Sequence, residues 1–174
     1  IERAAKEGAG AIRGQGADGV LIADAGDALR SAAAFLSYYD VSPRFVKFLG
    51  TSRWADPKNT KENALIGGWF ASVDPDLKAG FDARFEAAMG RPPSPLASLA
   101  YEAVQAASDM LNAASRRNDN TPFDVEAITD PRGHTGVAGA FRLLPDGRNQ
   151  RSLAVLEVTD TGFFVVDPGR FAGG

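Results

Sequence analysis

Residues 16–24 read Gly-Ala-Asp-Gly-Val-Leu-Ile-Ala-Asp. The uninterrupted apolar run Val20-Leu21-Ile22-Ala23 lies between turn-forming residues and is closed by Asp24, the pattern of a strand buried on both faces of a parallel sheet. Upstream, the chain to about Arg13 is Ala-rich and helix-like, and Gly14-Gln15-Gly16-Ala17 breaks it. Downstream, Asp27 is placed to cap a helix whose apolar face carries Leu29, Ala32, Ala33 and Leu36. After Asp40-Val41-Ser42-Pro43, a second strand, Phe45-Val46-Lys47-Phe48-Leu49, ends at Gly50 and the polar loop 51–57. Strand, helix and strand in this order predict a βαβ unit with a right-handed crossover in a parallel sheet.

Beyond the unit, Ala64 to Ser72 reads as a third strand, with Gly67-Gly68 marking a bend or a close backbone approach. Asp74 precedes a helix in which Leu77, Phe81, Phe85 and Met89 repeat every four residues; Gly90, Pro92 and Pro93 stop it. Ser94 as N-cap and Pro95 in the first turn start a second helix, expected to bury Leu96, Leu99, Ala100, Ala103, Val104, Ala107 and Leu111. The two form an αα-hairpin. A polar stretch from Asn118, a short helical or irregular segment at 123–128 and the loop Asp130-Pro131-Arg132-Gly133-His134-Thr135-Gly136 come next. Ala140 to Leu144, Leu153 to Val158 and Phe163 to Val166 then read as consecutive antiparallel strands. An α/β start, a helical middle and a β end predict either a second lobe visited partway or one sheet with mixed edges.

Composition removes most chemistries. The chain has 174 residues, no cysteine, one histidine and a net charge of −3, so thiolate metal sites and cysteine nucleophiles are excluded and a triad would need His134. No basic stripe exists for phosphate contacts, which argues against nucleic acid as a partner. No apolar run approaches the roughly 20 residues of a membrane helix. The opening Ile1-Glu2-Arg3-Ala4-Ala5 reads as the middle of a helix, so a fragment is expected and missing targeting signals carry no information.

The glycines at 8, 10, 14 and 16 follow a helix and precede a strand, the reverse of a dinucleotide fingerprint, so they read as linker; no phosphate-loop motif occurs. No cofactor and no metal are expected. Asp24, Asp56 and Asp74 stand at or beyond strand ends, where open α/β sheets bind ligands, although capping is the favoured role for Asp27 and Asp74. Trp69 reads as core. Trp54, flanked by Ser52, Arg53 and Asp56, stays open between an exposed functional aromatic and simple packing. His134 reads as structural.

In order and spacing, 16–24, Leu49-Gly50-Thr51-Ser52-Arg53-Trp54, Gly67-Gly68-Trp69-Phe70-Ala71, 85–93, 99–104 and 133–142 with Asp146-Gly147 carry a family resemblance. The chain resembles the C-terminal part of type I periplasmic binding proteins of the leucine-binding group, and within it the penicillin-binding-protein-activator branch, many of whose members are envelope lipoproteins. The resemblance implies an incomplete two-lobed α/β protein: a C-terminal-lobe βαβ segment over 1–63, a hinge crossover over 64–75, a helical hairpin on the N-terminal lobe over 76–117, and a return crossover with C-terminal β-strands over 118–174. It implies ligand contacts at Asp24, Ala25, Thr51, Ser52, Arg53 and Trp54, and a hinge at Phe70, Ala71, Ser72 and Asp74. A carboxylate for an ammonium, hydroxyls and a guanidinium for a carboxylate, and an aromatic wall fit a small polar ligand such as an amino acid. The implied function is a non-catalytic envelope regulator of peptidoglycan synthesis with an envelope protein partner; the alternative is the substrate-binding protein of a branched-chain amino-acid ABC transporter. Either implies the periplasm or cell envelope, and the resemblance adds a lipid anchor through an N-terminus outside this sequence. Half the cleft lies outside the sequence, so ligand binding by this chain alone is not expected.

Overall fold

The computed structural model describes residues 1–94, 96–169 and 171. In chain order the elements are α1 (Glu2–Gln15), β1 (Gly19–Leu21), α2 (Gly26–Tyr38), β2 (Lys47–Gly50), β3 (Trp69–Ser72), α3 (Pro75–Met89), α4 (Ala97–Arg117), α5 (Val125–Ile128), β4 (Phe141–Leu143), β5 (Asn149–Arg151), β6 (Ala154–Val158) and β7 (Phe163–Asp167), with 3₁₀ turns at Ser52–Trp54, Pro57–Lys61 and Asn63–Leu65. They form two compact units, Ile1–Ser72 with Ala154–Pro168, and Val73–Leu153 with Gly169 and Phe171.

The first unit is a five-stranded sheet in the order β1-β2-β3-β6-β7. The β1–β2 and β2–β3 pairs are parallel, as the βαβ reading requires, while β6 runs antiparallel to β3 and β7 to β6. Leu29, Ala33 and Leu36 of α2 pack with Phe48, Phe70 and Leu156 of the sheet in one core. α1 adds Ala5 and Ala9, and ends on Gly16 at φ 63, a left-handed cap that glycine adopts without a Cβ penalty.

The elements differ from the sequence reading at their edges. β2 starts at Lys47, because Ser42 accepts the amides of Phe45 and Val46 in a turn that leaves Phe45 82% exposed. The third strand is only its second half: 63–65 wind into a 3₁₀ turn, and Gly67 at φ 88 brings the chain into the sheet. The N-cap of α2 is Ala25, with no side-chain hydrogen bond; Asp27 lies inside the first turn and pairs with Arg30. Asp74 does cap α3, accepting the Asp76 amide at 2.8 Å.

In the second unit α3 and α4 meet through Phe81 and Tyr101, whose ring centroids lie 5.5 Å apart. Only Phe81 of the four-residue repeat on α3 is buried; Leu77 and Met89 are exposed. The expected face of α4 is also reversed: Leu96, Leu99, Ala100, Ala103, Val104 and Leu111 are exposed, Ala107 is half-buried, and Glu102, Ala106 and Ala114 face inward. The helix is capped two residues later than the Ser94 cap implied, on Leu96, and Pro95 lies outside the described residues.

Glu102 explains the rotation. Its buried carboxylate accepts Arg151 at 2.6 and 3.1 Å and the Ala138 amide at 2.6 Å, tying α4 to β5 and to the loop before β4. A Cβ on Gly136 would collide with that carboxylate, so only glycine fits there. β5 was not apparent in the sequence, and it divides the C-terminal strands: β4 and β5 form their own antiparallel hairpin, while β6 and β7 join the first unit's sheet. The antiparallel pairing was expected; its division between two sheets was not.

Removing one partner of a buried pair leaves the other charge stranded in the interior. Arg151→Met is expected to destabilise the second unit by about 3 kcal/mol, at the low end for such breaks because Arg151 keeps some solvent contact. Urea denaturation of the variant against wild type measures it, and a loss under about 1 kcal/mol would show that the pair does not hold α4.

Candidate ligand-binding site

The carboxyl ends of β1 and β2 lie side by side, since the two strands are parallel and in register from Gly19↔Lys47 to Leu21↔Leu49. Each runs into a loop at the same sheet edge, the position at which open α/β sheets present groups to ligands. From β1 come Asp24, exposed, and Ala25, half-buried; from β2 come Thr51, half-buried, and Ser52 and Arg53, both exposed. The sequence-predicted residues are thus brought to one edge of the first unit, with one exception.

Trp54 is fully buried and does not line that edge. Its ring lies over Gly50, where a Cβ would penetrate the indole, and against Gly68, where a Cβ would sit 2.9 Å from the ring. Phe70 completes the packing at 6.2 Å between ring centroids. Trp54 Nε1 donates to the Ile22 carbonyl at 3.1 Å, just past the end of β1. The side chain therefore fastens the β2 loop to the β1 loop. Trp69 has the more open position: half-buried, it donates from Nε1 to Glu157 Oε2 at 2.6 Å, and Lys47 Nζ stands 4.3 Å above its ring. For Trp54 the packing alternative holds, and Trp69, read as core, is only half-buried; local polarity does not reveal that Gly50 and Gly68 make room for an indole.

The edge carries polar groups without internal partners. α2 has no side-chain cap, so the amides of its first turn are unsatisfied by the helix itself and carry its positive dipole end. Gly26 opens the helix at φ 57, with free space where a Cβ would stand. The Thr51 hydroxyl is buried without a hydrogen-bond partner. Among the described residues neither Asp24 nor Arg53 makes a side-chain hydrogen bond or ion pair. Together these are donors and a cation suited to a carboxylate, beside a carboxylate suited to a cation.

Asn59 and Arg30 escaped the sequence reading as parts of this edge, whereas Asp56 was already read as standing beyond a strand end. Asn59 is fully buried, donating to the Trp54 carbonyl at 2.9 Å and accepting from Arg30 Nη1 at 3.1 Å. Asp56 caps the 3₁₀ turn at 57–61 through the Lys58 amide at 2.9 Å and stands 4.0 Å from Arg30. The only signal for them is a polar, helix-capping composition that many loops share.

The residues assigned to the hinge straddle the unit boundary between Ser72 and Val73. Phe70 and Ser72 are buried within β3, Ala71 is exposed, and Asp74 is the cap of α3. His134 exchanges backbone hydrogen bonds with Phe141 at 2.7 and 2.9 Å, and their rings lie 5.3 Å apart. Nearby, the Arg132 guanidinium and amide hold the Asp130 carboxyl down at about 2, so this pair's contribution is intact above pH 3.8 and fades as pH falls through about 2.

Trp54→Ala is expected to cost about 3–5 kcal/mol and Gly50→Ala about 1–3 kcal/mol, in chemical denaturation. In the Trp54→Ala background Gly50→Ala is expected to cost much less, because the added methyl then enters vacated space. Additive losses would show that the indole and Gly50 do not depend on each other.

No curated protein sequence matches the chain. Among solved structures, a Rhodospirillum rubrum protein assigned to a branched-chain amino acid ABC transporter superposes with a TM-score of 0.74 at 20% identity, over 92% of this chain and 47% of its own. A branched-chain amino acid ABC transporter periplasmic ligand-binding protein from Burkholderia xenovorans LB400 gives a TM-score of 0.61 at 18% identity, covering 92% of this chain and 46% of its own. An R. palustris ABC-transporter solute-binding protein in complex with benzoate gives 0.54 at 15% identity, covering 92% and 45%. The chain thus spans about half the length of these structures and shares their type I fold. The profile of the periplasmic binding proteins matches residues 7–162, and the chain belongs to that family.

Proposed function

We propose that this chain is part of a non-catalytic periplasmic solute-binding protein that delivers a small carboxylate-bearing ligand, of the branched-chain amino acid type, to an ABC transporter. The observation that carries this reading is the set of polar groups left without partners at one sheet edge: the uncapped first turn of α2, the Thr51 hydroxyl, Asp24 and Arg53. In the proposal the α2 amides, Thr51, Ser52 and Arg53 receive the ligand carboxylate, Asp24 receives an ammonium, and Ala25 leaves room beside them. Phe70, Ala71, Ser72 and Asp74, at the crossing from one compact unit to the other, serve as its hinge.

Support also comes from the relatives. Two of them are assigned to branched-chain amino acid transport and one holds benzoate. An amino acid of that type and benzoate share a carboxylate beside an apolar group, and differ in the ammonium. These relatives favour transport over the envelope-regulator reading.

Calorimetry on the complete gene product, with leucine and benzoate as probes, tests the proposal. Leucine is expected to bind at about micromolar Kd, some 8 kcal/mol. Arg53→Ala is expected to weaken both probes by about 10–100-fold through loss of charge-assisted hydrogen bonds. Asp24→Asn is expected to weaken leucine alone, since benzoate has no ammonium. Absence of binding by either probe, or full affinity in the Arg53 variant, would contradict it.

A further inference from the structure

The edge is made of two loops that are far apart in sequence and joined by no strand hydrogen bonds beyond Ile22, whose amide reaches the Leu49 carbonyl at 2.8 Å. Loops at a sheet edge fluctuate independently unless something couples them. Two links do so here. One is the Trp54 indole on the Ile22 carbonyl. The other runs through Asn59, one of very few fully buried polar side chains in the first unit. Its amide nitrogen donates to the Trp54 carbonyl, inside the β2 loop, and its amide oxygen accepts from Arg30, on the first turns of α2. Arg30 in turn pairs with Asp27 in the first turn and faces Asp56 in the β2 loop.

Burying an amide costs free energy unless both its ends are satisfied, and here both partners belong to the elements that carry the edge. A residue that only filled space at this position would be apolar. The side chain's donor serves the β2 loop and its acceptor serves Arg30 of α2, so losing it releases both at once.

We propose that Asn59 is a positioning residue for the ligand edge: by holding the Trp54 carbonyl and Arg30 together it keeps the 51–56 loop and the first turn of α2 in one geometry. This rests on the functional reading for its link to binding, while the coupling itself stands on the hydrogen bonds. Arg30 is the second half of the device, since its guanidinium reaches Asn59 and both flanking carboxylates.

Hydrogen exchange of the full chain, read by peptide mass spectrometry, tests the coupling. Asn59→Ala is expected to speed exchange about tenfold in both 52–56 and 26–30 while β6 and β7 keep wild-type rates. If that variant does not fold, Arg30→Met decides: faster exchange in both 26–30 and 56–59 is expected, with β6 and β7 unchanged. Asn59→Asp keeps the acceptor for Arg30 and loses the donor to Trp54, so it is expected to open 52–56 and spare 26–30. Exchange that speeds in one loop only for Asn59→Ala or for Arg30→Met, or equally throughout the unit, would overturn the proposal. In the complete gene product Asn59→Ala is expected to weaken leucine about tenfold through faster release, and unchanged affinity would also overturn it. A wild-type protein that binds neither leucine nor benzoate defeats the functional reading and leaves the exchange result to judge the coupling.

Discussion

The seat of Trp54 between Gly50 and Gly68 is the constraint on which the candidate edge depends. An indole can lie flat on a sheet only where the strands beneath offer no Cβ, and the two glycines, on β2 and just before β3, provide that place. Once seated, the ring fixes the turn that follows β2, and its one donor meets the Ile22 carbonyl, just past the end of β1. The neighbouring residues then have no freedom to fold inward. Ser52 and Arg53 are left at the surface of the edge, and Thr51 half-buried beside them, because Trp54 has taken the interior.

A second consequence concerns polarity. The core of the first unit is apolar apart from Asn59, Thr60 and Ser72, so each buried polar group there is a local commitment. Thr60 bonds the Pro57 carbonyl at 2.8 Å and serves its own turn. Asn59 instead bridges two elements. The second unit uses the same device with charge: Glu102, drawn inward by Arg151 and the Ala138 amide, sets which face of α4 is buried. In both units a single buried polar side chain orients elements that apolar packing alone would leave undetermined.

The fold was largely legible in the sequence and the site only partly. Val20 to Ala23, the α2 stripe and Phe48-Leu49 carry patterns from which the parallel βαβ order follows, but the first strand is not buried on both faces: β1 ends at Leu21, which is exposed, and stands at one end of the sheet. The exposed Asp24 and Arg53 were also within reach, since they belong to loops flanked by strong elements, whereas the missing cap of α2 was not, because Asp27 read as one. What failed were long-range pairings. The exposed stripe of α4 is as periodic as a buried one, and only Arg151, 49 residues from Glu102, decides otherwise. Trp54 stayed open between exposure and packing because its neighbours are polar, and Gly50 and Gly68 settle its place. β5 reads Asn-Gln-Arg and has no apolar pattern; the Pro145-Asp146-Gly147 turn and its partner β4 make it a strand.

The central claim is that the carboxyl ends of β1 and β2, held together beneath by Trp54 and Asn59, form a binding edge for a carboxylate ligand. Hydrogen exchange of the complete gene product with and without saturating leucine tests it most directly. The account predicts that leucine slows exchange in the segments 24–29 and 51–54 above any other part of this chain. Leucine-dependent protection confined to other segments, or none in these two, would contradict it.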